Sequence, residues 1–113
     1  MRMTKPIPKP VTTPDTPLDA VVRHDADSSQ YTLILENETV GLADYWVSGQ
    51  SMHFSHTEVH PARRNQGLAG ILIEQALNDA RTRTDLRIVP DCPYVAHWID
   101  QHARYQDLLT RGR

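Results

Sequence analysis

The chain has 113 residues, a formal net charge of −2, 39% hydrophobic residues and a single cysteine. That length supports one hydrophobic core, and the charge gives no general attraction to nucleic acid or to an anionic membrane. One cysteine excludes an internal disulfide framework and suits a reducing compartment.

The first 19 residues carry Pro6, Pro8, Pro10, Pro14 and Pro17 and few large apolar side chains. Such a segment cannot bury enough surface to offset its ordering entropy, so residues 1–19 are read as a flexible tail and 20–113 as the domain. No apolar run approaches the roughly 20 residues that span a bilayer, and the N-terminus lacks the apolar core of a secretory signal. A cytoplasmic protein is therefore the expectation.

Ala20 to His24 suits a short first strand, and Asp25 to Gln30 a polar turn. Tyr31, Leu33 and Leu35 alternate with Thr32, Ile34 and Glu36, the period of a half-buried strand. Glu36-Asn37-Glu38 reads as a tight turn into a strand over Thr39 to Val47, with Val40, Leu42 and Trp46 on one face. Ser48-Gly49-Gln50-Ser51 closes the next hairpin and leads into a strand over Met52 to Val59. These four segments form an antiparallel meander.

From Leu68 the period changes. Ala69, Leu72, Ile73, Ala76, Leu77 and Ala80 recur at helical spacing, so Leu68 to Arg81 is an amphipathic helix. Leu86 to Val89 is a short buried strand, parallel to the strand before the helix because a β–helix–β crossover favours that pairing. Pro93 suits the first turn of a second helix with a Val95–Trp98–Ile99 stripe. Tyr105, Leu108 and Leu109 pack a polar C-terminal segment back onto the domain. The order predicts an α+β fold with a mixed, mainly antiparallel sheet.

The strand-to-helix junction Arg64-Asn65-Gln66-Gly67-Leu68-Ala69-Gly70 is the candidate binding loop. A glycine turn that opens a helix gathers unpaired N–H groups at the positive end of the helix dipole, a place suited to phosphate or pyrophosphate. Arg63 and Arg64 add charge that pairs with phosphate oxygens. The loop has no Gly-Lys-Ser/Thr and no Gly-x-Gly-x-x-Gly, which argues against a triphosphate P-loop and a Rossmann dinucleotide site. On loop chemistry alone, the glycines could equally serve only to shape a tight connection.

Three stretches taken in order resemble the GCN5-related N-acetyltransferases, most nearly their small, single-domain YjdJ-type branch. They are His56-Thr57-Glu58-Val59, Arg64-x-x-Gly67-x-Ala69 and Pro90-Asp91-Cys92-Pro93-Tyr94-Val95. The resemblance covers roughly Val21 to Leu109. It implies two splayed parallel strands, acetyl-coenzyme A as co-substrate, and an amine acceptor. It also implies that residues 64–70 bind the pyrophosphate and that Glu58 and Val59 lie along the pantetheine, Val59 through its main chain. His56 and Cys92 are implied beside the transferred acetyl group. Larger members insert helices between the first two strands; here a few polar residues stand in their place, so an open acceptor cleft is expected.

His56 and Glu58 share a strand face by the period of two, and either can take a proton from an incoming ammonium. Cys92 immediately precedes Pro93, a helix N-cap position, where it can accept the acetyl group transiently, lie near the leaving thiol, or simply pack. Tyr94 is a further proton donor by type, although packing is its expected role. Trp46 and Trp98 are read as core or cleft wall. The histidines at 53, 56, 60, 97 and 102 lack metal-site spacing, so no metal is expected. An acetyltransferase is the leading expectation. A coenzyme A-binding module without catalysis, serving as a sensor or partner protein, and a pure interaction domain are the alternatives. The sequence names no acceptor and no oligomeric state.

Overall fold

The computed structural model describes residues 20–63 and 67–111, so the expected tail at 1–19 lies outside the described residues. Five strands make one sheet in sequence order: β1 (Val21–Asp25), β2 (Gln30–Leu35), β3 (Glu38–Ser48), β4 (Ser51–Val59) and β5 (Arg87–Pro90). The first four pair antiparallel, and β5 joins β4 in parallel after the crossover helix α1 (Leu68–Arg83). Helix α2 (Pro93–Asp100) and a 3-10 turn (Ala103–Leu109) complete the domain. The α+β class and the parallel β4–β5 pair match the expectation from sequence.

One core joins the inner face of the sheet to both helices. It contains Tyr31, Leu33, Leu35, Ala43, Met52, Phe54 and Ile88 from the strands, with Leu72, Ile73, Ala76, Val95 and Leu108 against them. Tyr31 also donates its hydroxyl proton to Asp79 Oδ2 at 2.7 Å, and Arg83 Nε donates to Asp79 Oδ1 at 2.6 Å. Burial and that carboxylate push the Tyr31 phenol well above its ordinary range. Asp79 therefore ties α1 to β2 through a phenol that stays protonated.

Two expectations about faces fail for local reasons. In β3, Val40 is buried but Leu42 is not, and Trp46 is exposed. The register shifts between Leu33 and Ile34, leaving Val40 as an extra residue opposite β2. Such a bulge reverses the parity of the strand beyond it, so Gly41 and Ala43 take the core side. In α1, Leu68 is buried while Ala69 is only partly so and lines a cleft. A period of 3.6 places the first residue of the helix on the core stripe with Leu72, which the pattern of alanines obscured.

Arg111 closes the C-terminal end of α1. Its guanidinium donates to Ala80 O at 3.0 Å, Arg81 O at 3.3 Å and Leu86 O at 2.9 Å. Ala80 O also accepts from the Thr84 N–H at 3.0 Å and hydroxyl at 2.8 Å, so Arg111 adds to a cap already in place and ties it to the strand that follows. An Arg111→Ala protein should lose about 1–2 kcal/mol of stability, read as a lower urea midpoint with an unchanged slope. An unaltered midpoint would show that water serves those carbonyls equally well.

Candidate functional site

Strand β4 is paired on both sides only over its first half. Its parallel register with β5 runs from Ser51↔Arg87 to Phe54↔Pro90 and stops there. Proline ends it, because Pro90 has no N–H to carry the ladder on. The N–H of Cys92 makes a last contact with Phe54 O at 2.9 Å, and Pro93 starts α2. At the same level β4 bends. Asp44 pairs with His56 and Tyr45 with Phe54, so Ser55 is a bulged residue. The two strands therefore diverge beyond Phe54, while β4 continues to Val59.

The divergence leaves main-chain groups without partners among the described residues. His60 donates its N–H to Val40 O at 2.7 Å, toward β3. Alternation along an extended strand turns the N–H of Val59, and of Thr57 before it, to the side that β5 has left. Across the gap stands the start of α1. Gly67 is its N-cap, with φ 73° and ψ 12°, and no side chain caps the helix. The first bond within the helix runs from Ile71 N–H to Gly67 O at 3.3 Å, so the N–H groups of Leu68, Ala69 and Gly70 remain free of the helix ladder. The left-handed φ explains the glycine: an L side chain there costs roughly 1–2 kcal/mol.

These pieces line one cleft of about 730 Å³, formed by His56, Thr57, Glu58, Val59, Arg63, Gly67, Leu68, Ala69, Gly70 and Tyr94. Seven candidates from the sequence come together there: His56, Glu58, Val59, Gly67, Leu68, Ala69 and Gly70. Arg64, Asn65 and Gln66 lie outside the described residues. Cys92 is the helix N-cap that the sequence suggests, but it is not among the lining residues. It is 8% exposed, and its sulfur lies 3.7 Å from Thr57 Oγ1. The thiol thus stands behind Thr57.

His56 and Glu58 do share a face, the one opposite α1. Their β3 partners Asp44 and Leu42 alternate with the buried Ala43 and Gly41, which oppose Thr57 and Val59. His56 Nε2 and Glu58 Oε1 are 2.9 Å apart, both side chains more than half exposed. An imidazole held by a carboxylate is the arrangement in which one group accepts a proton and the other supports the resulting cation. The cleft lining carries both signs of charge. Arg63, which precedes the helix start, is held by Glu36 Oε1 at 3.4 Å and Glu38 Oε1 at 3.8 Å, and Glu58 adds a carboxylate.

Tyr94 is the residue sequence reasoning undervalued. It is 41% exposed, and desolvation of its buried part raises its phenol above the ordinary value, so it keeps its proton at neutral pH. Its signal was position: on the first turn of α2 it falls outside the Val95–Trp98–Ile99 stripe that packs inward. Among the described residues, no group of three His, Cys, Asp or Glu side chains is placed to hold a metal. No described helix is long and apolar enough to cross a membrane.

Comparison with solved structures finds the same fold at low identity. The ribosomal-protein-alanine N-acetyltransferase from Brucella melitensis biovar Abortus 2308 is 18% identical with a TM-score of 0.55, covering 65% of this chain and 59% of that one. The ribosomal-protein-S18-alanine N-acetyltransferase from Escherichia coli is 12% identical with a TM-score of 0.54, covering 77% and 54%. N-acetylglutamate synthase from Neisseria gonorrhoeae, solved with coenzyme A and N-acetyl-glutamate, is 15% identical with a TM-score of 0.52, covering 71% and 22%. The chain thus spans less than two thirds of the length of each of these proteins. No curated protein matches the sequence. A family model described as GCN5-related N-acetyl-transferase matches residues 30–108, from β2 through the 3-10 turn. The chain belongs to the GCN5-related N-acetyltransferase family.

Proposed function

We propose that this domain is an acetyl-coenzyme A-dependent N-acetyltransferase of the small single-domain branch of its family, acting in the cytoplasm on an amine acceptor. The observation that carries the reading is the cleft itself. It gathers N–H groups from a helix start and a strand edge that are unpaired among the described residues, together with an arginine and an imidazole–carboxylate pair. N–H groups at a helix start suit a diphosphate, and those along an open strand suit the amide-bearing pantetheine arm.

In this reading, the acetyl thioester supplies an activated carbonyl, and the chain's residues bind, orient and move protons. Gly67 to Gly70 and Arg63, with Arg64 to Gln66, hold the diphosphate, and Glu58 and Val59 line the arm. His56, supported by Glu58, takes a proton from the acceptor ammonium. The freed nitrogen then forms its bond to the carbonyl carbon, and an N–H of the open strand stabilises the oxyanion. The carbon–sulfur bond breaks as the carbonyl re-forms, the departing thiolate takes the Tyr94 phenol proton, and the second proton of the attacking nitrogen returns through solvent to the Tyr94 oxygen, which leaves a neutral amide and a neutral phenol.

Cys92 stays behind Thr57 in this scheme and supports the cleft wall without carrying the acetyl group. A Cys92→Ala protein should accordingly keep turnover within about tenfold of wild type, whereas loss of a covalent nucleophile removes nearly all of it. The reading as a whole is tested by calorimetry with acetyl-coenzyme A, followed by thiol release across a panel of amines. No binding at millimolar ligand would remove it. Binding without turnover on any amine would leave a coenzyme A-binding module that senses or partners.

A further inference from the structure

The indole N–H of Trp98 is a buried donor that the scheme above does not use. Trp98, on α2, is 9% exposed; its ring is stacked on His102 at 3.8 Å and edge-on to Tyr105 at 5.0 Å. Those rings hold the indole in one orientation. Its main-chain carbonyl accepts from His102 Nδ1 at 2.6 Å, yet among the described residues Nε1 has no acceptor. A buried N–H without a partner is costly and rare in a folded protein, and a ligand that binds there is one explanation for it.

The nitrogen faces the cleft wall at Gly70. A Cβ added to Gly70 would lie 3.5 Å from Trp98 Nε1 and 4.0 Å from Tyr94 Oη. Gly70 and Tyr94 both line the cleft. Gly70 is not one of the positive-φ glycines, so the helix backbone does not demand glycine there. A glycine inside a helix is less favourable than alanine, because it loses more backbone freedom on folding. The position bears that cost while leaving an atom-sized opening beside the indole N–H, in the first turn of α1.

We propose that this opening receives an acceptor oxygen of bound coenzyme A, from the diphosphate or from a pantetheine amide, and that Trp98 Nε1–H donates to it. Gly70 is then a ligand-clearance residue, and Trp98 a binding residue outside the Arg-x-x-Gly-x-Ala loop. The proposal rests on the acetyltransferase reading only in placing coenzyme A in this cleft.

The test follows the indole resonance of Trp98 in nitrogen-15-labelled protein, assigned against Trp46 with a Trp98→Phe variant. Coenzyme A should move that resonance downfield. Pantetheine supplies carbonyl oxygens alone and inorganic pyrophosphate supplies phosphate oxygens alone, so whichever reproduces the shift identifies the source. A shift that only the whole coenzyme produces supports the contact as well. Coenzyme A affinity should fall about tenfold in Trp98→Phe. The Gly70→Ala protein should show a similar fall together with an equal or higher melting temperature. That opposition is a result a merely structural glycine cannot give. A wild-type protein that binds coenzyme A without moving the Trp98 resonance, or a Gly70→Ala protein that binds as tightly as wild type, overturns the proposal. A wild-type protein that does not bind coenzyme A overturns the acetyltransferase reading and takes this proposal with it.

Discussion

A His56→Ala protein is expected to acetylate amines at least a hundredfold more slowly at neutral pH while binding acetyl-coenzyme A as wild type does. Positioned acid–base groups typically contribute about 10²–10⁴ in rate, and the imidazole is more than half exposed, with Glu58 as its side-chain hydrogen-bond partner among the described residues, so its removal costs little packing. The defect should shrink as pH rises, because the acceptor then loses its proton to solvent and needs no base. Glu58→Gln should cost less, since the imidazole remains and only its carboxylate support is lost. Stopped thiol-release assays across pH 6.5 to 9.5 (the approximate range in which amines begin to deprotonate) give the comparison. Equal rates for His56→Ala and wild type at neutral pH would exclude His56 as the base and turn attention to Glu58 acting alone.

The second large effect is at Gly67. Gly67→Glu should lower coenzyme A affinity at least tenfold, about 1.4 kcal/mol or more. Two physical causes act together. The backbone there has φ 73°, so any L side chain brings strain of roughly 1–2 kcal/mol. The carboxylate also enters the space that unpaired N–H groups offer to an anion and repels it. Gly67→Asn separates the causes, because asparagine tolerates the left-handed region and brings no charge. Its affinity should fall less than that of Gly67→Glu at similar melting temperature. Calorimetry on both proteins decides it, and a Gly67→Glu protein that bound coenzyme A normally would remove the helix start from the binding site.

The sheet order and the crossover were legible because their periods are clean. Tyr31, Leu33 and Leu35 alternate, and Leu72, Ile73, Ala76 and Leu77 repeat at helical spacing, so local pattern and final burial agree. The cleft was legible through glycine and proline, residues whose backbone limits are strong: Gly67 adopts the left-handed cap, and Pro90 and Pro93 end the strand and start α2. Bulges were not legible. An extra residue at Val40 or Ser55 leaves no mark in composition, yet it reverses which side chains face the helices. Trp98 packs in the core, as its place in the stripe suggests. Tyr94 was undervalued for a related reason: an aromatic residue on a short helix reads as packing, and only the placement of α2 beside Gly70 brings its hydroxyl to the cleft.

The parting of β4 from β5 bears on how the molecule avoids its own kind. A naked strand edge on the rim of a sheet invites another polypeptide to add itself, the first step toward fibrils. Here the naked edge lies along a cleft that the start of α1 and Tyr94 also line. A chain adding itself there would have to share that space with the helix, so the crossover that opens the edge also covers it, as a helix laid over an ordinary rim does.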